Sequence, residues 1–256
     1  MQKPLILVTN DDGITAPGIR FLIKLMNQIG EVYVVAPDKP QSGMGHAITI
    51  NSTLQCEPIK IDSGIQIEFS CSGTPADCVK IAIDQILPRK PDLCVSGINH
   101  GSNSSINVIY SGTMSAAVEA GLNSIPAIGF SLCDFHYEAD FHAAENQIIS
   151  IAKAVLKNKL PEGIVLNVNI PKAKQSEIKG IKVCRQARAN WVEEFDKRID
   201  PRGRHYYWLT GEFKVMDSGE DTDENALANN YISVVPVQFD LTAYRFLEGL
   251  KNWEMT

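Results

Sequence analysis

No stretch of this chain approaches the roughly 20 apolar residues that a membrane-spanning helix needs, so none is expected. Cys-x-x-C pairs are missing as well. The six cysteines, at 56, 71, 78, 94, 133 and 184, fall mostly inside apolar runs. They read as reduced, core-filling thiols of a cytoplasmic protein, and the Cys/His spacing of a zinc site is absent. Basic charge is in deficit: 24 Lys and Arg against 30 Asp and Glu leave a net charge of −6. A nucleic-acid polymer would ask for a basic face instead. Three sequence signatures are also wanting: G-x-x-x-x-G-K-[ST], G-x-G-x-x-G after the first apolar run, and G-x-S-x-G. Their absence disfavours P-loop NTP hydrolysis, hydride transfer and serine-hydrolase chemistry. The start, Met1-Gln2-Lys3-Pro4, leads almost at once into an apolar run, shorter than a secretory leader.

What is present is an ordinary globular composition. With 256 residues, 44% of them hydrophobic, the chain can bury a sizeable core, and length alone suggests about 1.7 domains. Short apolar runs predict strands at 5–9, 32–36, 47–50, 55–61, 65–70, 92–96, 125–130, 164–169 and 231–237. Helical spacing predicts helices at 19–29, from 74 to about 87, at 111–122 and at about 141–156. The turn Asp62-Ser63-Gly64 predicts a hairpin. Thr74-Pro75-Ala76-Asp77 combines an N-cap, a proline at the first helical position and a capping-box carboxylate. Strand–helix alternation of this kind predicts an α/β fold, a mostly parallel sheet with helices on both faces. We expect one domain over 1–256, with its core at about 1–180. The polar, aromatic and acidic stretches of about 185–245 form a β-rich extension for oligomerisation, packing on the core or on a second subunit.

Parallel sheets bind ligands beyond the carboxyl ends of their strands. Three glycine-bearing loops fall at such ends: Asn10-Asp11-Asp12-Gly13, Ser42-Gly43-Met44-Gly45-His46, and Ser96-Gly97-Ile98-Asn99-His100-Gly101-Ser102-Asn103. Singly, each reads as a turn. Together they offer two carboxylates, a serine hydroxyl and an asparagine carbonyl, hard oxygen donors of the kind magnesium, manganese or calcium selects. A cation would also relieve the repulsion between Asp11 and Asp12. Tyr110-Ser111-Gly112-Thr113 opens a helix whose free N–H groups suit a phosphate, the plain alternative being an N-cap by Ser111 or Thr113. His46 and His100 lie in the loops as candidate proton donors or local hydrogen-bonding residues. The run Tyr206-Tyr207-Trp208 reads as packing or interface.

The stretches ILVTNDDGITAPGI, VVAPDKPQSGMGHAITI, GTPADCV, PDLCVSGINHGSN, YSGTMSAAVEA, DPRGRHYYWL and YISVVPVQFDLT, in order along nearly the whole chain, resemble the SurE family of survival-protein nucleotidases. That resemblance implies a Rossmann-like core and a cytoplasmic phosphatase of nucleoside 5′-monophosphates, often also of 3′-nucleotides and short polyphosphate. It implies one divalent cation per subunit, magnesium or manganese, and dimers or tetramers built through C-terminal elements. Carried over by position, it makes Asp11, Asp12, Ser42 and Asn99 the metal ligands. Asn10, Gly43, Asn103, Ser111, Gly112 and Thr113 would line the phosphate pocket, with His46 a candidate donor to the leaving oxygen. His100 and Ser104-Ser105 depart from the common family pattern without touching the metal set. Asp11 and Asp12 are the catalytic candidates, Asp11 foremost to orient or deprotonate an attacking water; direct attack by an aspartate stays open. Two rivals are a metal-dependent phosphate or nucleotide sensor without turnover and a manganese-using glycosyltransferase.

Overall fold

The computed structural model describes residues 3–136 and 138–254. Strand β1 (Leu5–Thr9) is buried along its whole length, as a strand covered on both faces must be. Helix α1 (Pro17–Met26) starts on its proline and buries Ile19, Leu22, Ile23 and Met26. Strand β2 (Glu31–Pro37) returns parallel to β1. The expected hairpin forms between β3 (Cys56–Ile59) and β4 (Ile67–Cys71). The capping box at the start of α2 (Pro75–Ile81) is complete: the Asp77 N–H donates to Thr74 Oγ1 at 3.2 Å, and the Thr74 N–H to Asp77 Oδ2 at 3.0 Å.

The alternation continues through β5 (Leu93–His100), α3 (Gly112–Leu122), β6 (Ala127–Leu132), α4 (Glu145–Asn158) and β7 (Ile164–Ile170). Then follow β8 (Ile181–Val183), β9 (Ala189–Ile199), β10 (His205–Val215), α5 (Asp223–Ala228), β11 (Ile232–Gln238) and α6 (Tyr244–Lys251). Among the described residues nine strands form one sheet in the order β3-β4-β2-β1-β5-β6-β7-β11-β8, while β9 and β10 form a separate two-stranded sheet. From β4 to β7 every neighbour is parallel; β3 and β11 run antiparallel to β4 and β7. One core, with Leu22, Phe130 and Ile148, lies under α1 and α4; the other, with Val79, Ala117 and Val165, lies under α2 and α3. The fold class is the expected one. Chain order reverses between β1 and β5, and a crevice opens where such a reversal occurs.

Several details differ from expectation. Residues 47–50 form no strand: the backbone N–H and hydroxyl of Thr49 both bond the Asp77 carboxylate, which ties the segment to the start of α2. Strand β5 runs past Ser96 to His100, through a register irregularity against β6 between Ser96 and Asn99. Gly97, at φ +122°, permits that passage, since a Cβ there would sit 2.2 Å from the Phe130 carbonyl oxygen. Asn99 therefore stands on a strand rather than in a loop. The division near residue 185 is not clean, because β11 re-enters the main sheet between β7 and β8. Strand β8 and helices α5 and α6 have no counterpart among the expected elements.

Candidate active site

The acidic doublet is set by the turn that ends β1. Asn10 donates from Nδ2 to the Gly13 carbonyl at 2.9 Å, and the Ile14 N–H donates to the Pro37 carbonyl at 2.9 Å. Gly13, at φ +97°, takes the left-handed conformation that closes the turn. The result is a buried Asp11, 3% exposed, beside a half-buried Asp12. Thr113 Oγ1 donates to Asp11 Oδ1 at 2.5 Å. Gly112 lies so close that a Cβ on it would be 2.7 Å from Asp11 Cβ. Burial pushes the Asp11 carboxyl up to about 6, with the charge of Asp12 adding to the rise and the Thr113 hydrogen bond opposing it. Asp12 turns to β5, where its Oδ2 accepts the His100 N–H at 3.2 Å and lies 3.4 Å from His100 Nδ1.

The second loop is stitched to the same place. The Gln41 N–H donates to the Asp11 carbonyl at 2.7 Å, and the Gly45 N–H to the Tyr110 carbonyl at 3.2 Å. Gly43 and Gly45, at φ +74° and +56°, make the bend between these anchors and leave Ser42 exposed. On β5, Asn99 donates from Nδ2 to the Gly101 carbonyl at 2.9 Å and the His100 carbonyl at 3.2 Å. Its amide nitrogen being so engaged, Oδ1 is the atom it has to offer a ligand.

A cavity of about 400 Å³ is lined by Asp11, Ser42, Gly43, Asn99, Asn103 and Ser111 among others. Six of the predicted site residues thus meet. Asp12 sits behind them through His100, and Asn10 is buried beneath as the brace of the turn. Gly112 and Thr113 act on Asp11 rather than on the cavity wall. The Ser111 hydroxyl accepts the Met114 N–H at 3.0 Å, so its capping role is real. Asn103 is fixed from Nδ2 to Ser131 Oγ at 2.8 Å, while its N–H donates to Asn169 Oδ1 at 2.8 Å. His46 lines an adjoining cavity of about 340 Å³ that shares Ser111 with the first, with Nε2 2.9 Å from Glu119 Oε2. The same carboxylate takes Lys80 Nζ at 2.8 Å, so His46 and Lys80 share one buried acid.

The reading from sequence missed the other end of the cavity. Tyr110, Phe135, Trp191 and Phe213 line it, with Asn107 and Glu224. No motif marks them; Trp191 and Phe213 come from a hairpin remote in sequence from the three loops.

Among the described residues no Lys or Arg lines the cavity, although a buried carboxylate and a helix N-terminus open onto it. Among the described residues no group of three or more His, Cys, Asp and Glu is placed to hold a metal. A cation here would need the serine and amide oxygens beside the carboxylates, and such an all-oxygen set suits a hard divalent ion.

Residues 6–193 match the family described as Survival protein SurE. A protein of Christiangramia forsetii named 5′-nucleotidase SurE is 69% identical over 99% of this chain and 98% of its own length. One of the same name from Bacteroides fragilis is 48% identical over 99% of both. The crystal structure of SurE from Aquifex aeolicus superposes with a TM-score of 0.83 at 41% identity, covering 97% of this chain and 98% of that one. Fold, full-length similarity and the conjunction of the three loops agree: the chain belongs to the SurE family.

Proposed function

We propose that this chain is a 5′-nucleotidase, hydrolysing nucleoside 5′-monophosphates to nucleoside and phosphate with one divalent cation, magnesium or manganese, per subunit. The observation that carries this is a buried Asp11, bonded by the neutral Thr113 hydroxyl, lining a cavity that a helix N-terminus also faces. The names borne by its near relatives support the same activity. Asp11, Asp12, Ser42 and Asn99 would hold the cation. When bound, it neutralises the doublet and draws charge from the phosphoryl oxygens.

The chain's own groups do the rest. The first N–H groups of α3 have no partner within the helix and bind a phosphoryl oxygen. Asn103, locked by Ser131 and Asn169, fixes the edge of that seat. Asp11, held by Thr113, orients the water that attacks phosphorus opposite the ester oxygen; the new P–O bond forms as the P–O bond to the nucleoside breaks, and the proton the water gives up ends on the leaving oxygen. The same seat would admit 3′-nucleotides and short polyphosphate. Exposed Phe195, Trp208, Phe246 and Trp253 on the hairpin and the C-terminal segment favour a homodimer or homotetramer. Six free cysteines accord with a cytoplasmic setting.

Phosphate release measured over a panel of nucleotides, with magnesium, manganese or chelator, tests the reading. Turnover of AMP is expected only with metal, and Asn99→Ala at limiting metal should cost about a hundredfold. Full turnover after exhaustive chelation would remove the cation from the proposal. Tight AMP binding without phosphate release would make the protein a sensor, and acceptor-dependent sugar transfer a glycosyltransferase.

A further inference from the structure

The aromatic end of the cavity has no part in holding phosphate. Trp191 lies on β9 and is 40% exposed, a large apolar surface left open to solvent. It is nonetheless fixed. Its Nε1 donates to Asn107 Oδ1 at 2.7 Å. Its cross-strand partner Phe213 stands with ring centroids 5.4 Å apart at 57°. Across the chain, Phe135 rests on Gly101, at φ +100°, where a Cβ would lie 2.3 Å from the Phe135 ring. The fixed Trp191–Phe213 pair and the exposed Phe135 thus line the same 400 Å³ cavity as Asp11, Ser42 and Asn99, a volume in the usual range for a small-ligand site. A nucleoside monophosphate carries one anionic end and one flat π-face, and aromatic side chains bind such faces by stacking.

We infer that Trp191, oriented by Asn107 and backed by Phe213, is the stacking platform for the nucleobase. It sets preference for nucleotides over other phosphomonoesters. This rests on the phosphatase reading above, which it deepens. The indole needs no reordering on binding, since the hydrogen bond and the ring contact already hold it. Chemistry at phosphorus and recognition of the base are divided between the strand-end loops and the hairpin.

The test compares AMP with ribose 5-phosphate, the same phosphoester without the base, by kcat/KM and by calorimetric affinity in the metal-loaded protein. Trp191→Ala should lower the AMP to ribose 5-phosphate ratio about tenfold, the effect of one lost base–aromatic stack. The loss should fall on KM for AMP. Trp191→Phe should restore much of the ratio, and Asn107→Ala should lower it by a smaller factor. An unchanged ratio in Trp191→Ala, or an equal fall for both substrates, overturns the platform. A wild type that hydrolyses neither compound, yet binds AMP more tightly than ribose 5-phosphate through Trp191, would end the phosphatase reading and leave the platform standing. Circular dichroism and thermal melting of each variant keep misfolding apart from lost stacking.

Discussion

Glu68 and Asp11 are buried to almost the same degree, 4% and 3% exposed. Their surroundings are opposite. Glu68 on β4 receives Arg20 from α1 through two hydrogen bonds, Nη1 to Oε2 at 2.5 Å and Nη2 to Oε1 at 2.9 Å. Arg20 also pairs with Asp62, whose carboxyl it holds down at about 2. Asp11 receives a neutral hydroxyl and has a second carboxylate as its neighbour in sequence. A buried charge costs several kcal/mol unless it is paired. Glu68 meets that cost within the fold, so it is architecture. Asp11 does not, so the fold holds it in readiness for something the chain does not encode. Glu119 falls on the side of Glu68: although burial pushes its carboxyl up, His46 and Lys80 hold it below its ordinary value.

Neutralising each carboxylate sharpens the contrast. Asp11→Asn should reduce metal-dependent phosphate release by about a thousandfold, the scale of a lost catalytic carboxylate. In chelator at pH 7 it should leave the protein no less stable than wild type. A marked loss of stability would return Asp11 to the structural class. Glu68→Ala should show the reverse pattern. It is expected to cost about 3 kcal/mol in urea unfolding, because Arg20 loses its buried partner, while kcat stays within a few-fold of wild type.

The smallest effect is one of pH. Folding raises the Asp11 carboxyl from its ordinary 3.8 to about 6, so the folded state favours the protonated form. Its contribution to stability is complete below about pH 4 and is lost as pH rises through 6, to an extent on the order of 3 kcal/mol. Asp62 has the opposite sign: its contribution is present above about pH 4 and lost as pH falls towards 2. Melting curves of metal-free wild type against Asp11→Asn, taken from pH 4 to 7, should converge at the acid end and part at the neutral end, with the variant the more stable. Curves that stay parallel would contradict the assignment.

Much of this was legible in the sequence because it is local. Apolar runs, the Thr74–Asp77 box and the glycines of three loops each carry their signal within a few residues. The parallel sheet then follows from alternation, and the meeting of Asp11, Ser42 and Asn99 follows from the sheet. What escaped reading depends on distance or on tertiary partners. Thr49 gave up a strand for the Asp77 carboxylate. The bond from His46 to Glu119 of α3 joins residues 73 positions apart. Trp191 has no local pattern at all; its neighbour Asn107 lies 84 positions away in the chain.

The hairpin that carries Trp191 forms a two-stranded sheet of its own, apart from the nine-stranded one, and reaches the site through the Trp191–Asn107 hydrogen bond. Residues farther out along it can therefore change without altering the strands that position the doublet. A lineage could retune which esters it prefers by editing this one protrusion while its hydrolytic apparatus stays untouched. Selectivity and reactivity would then be free to evolve at separate rates.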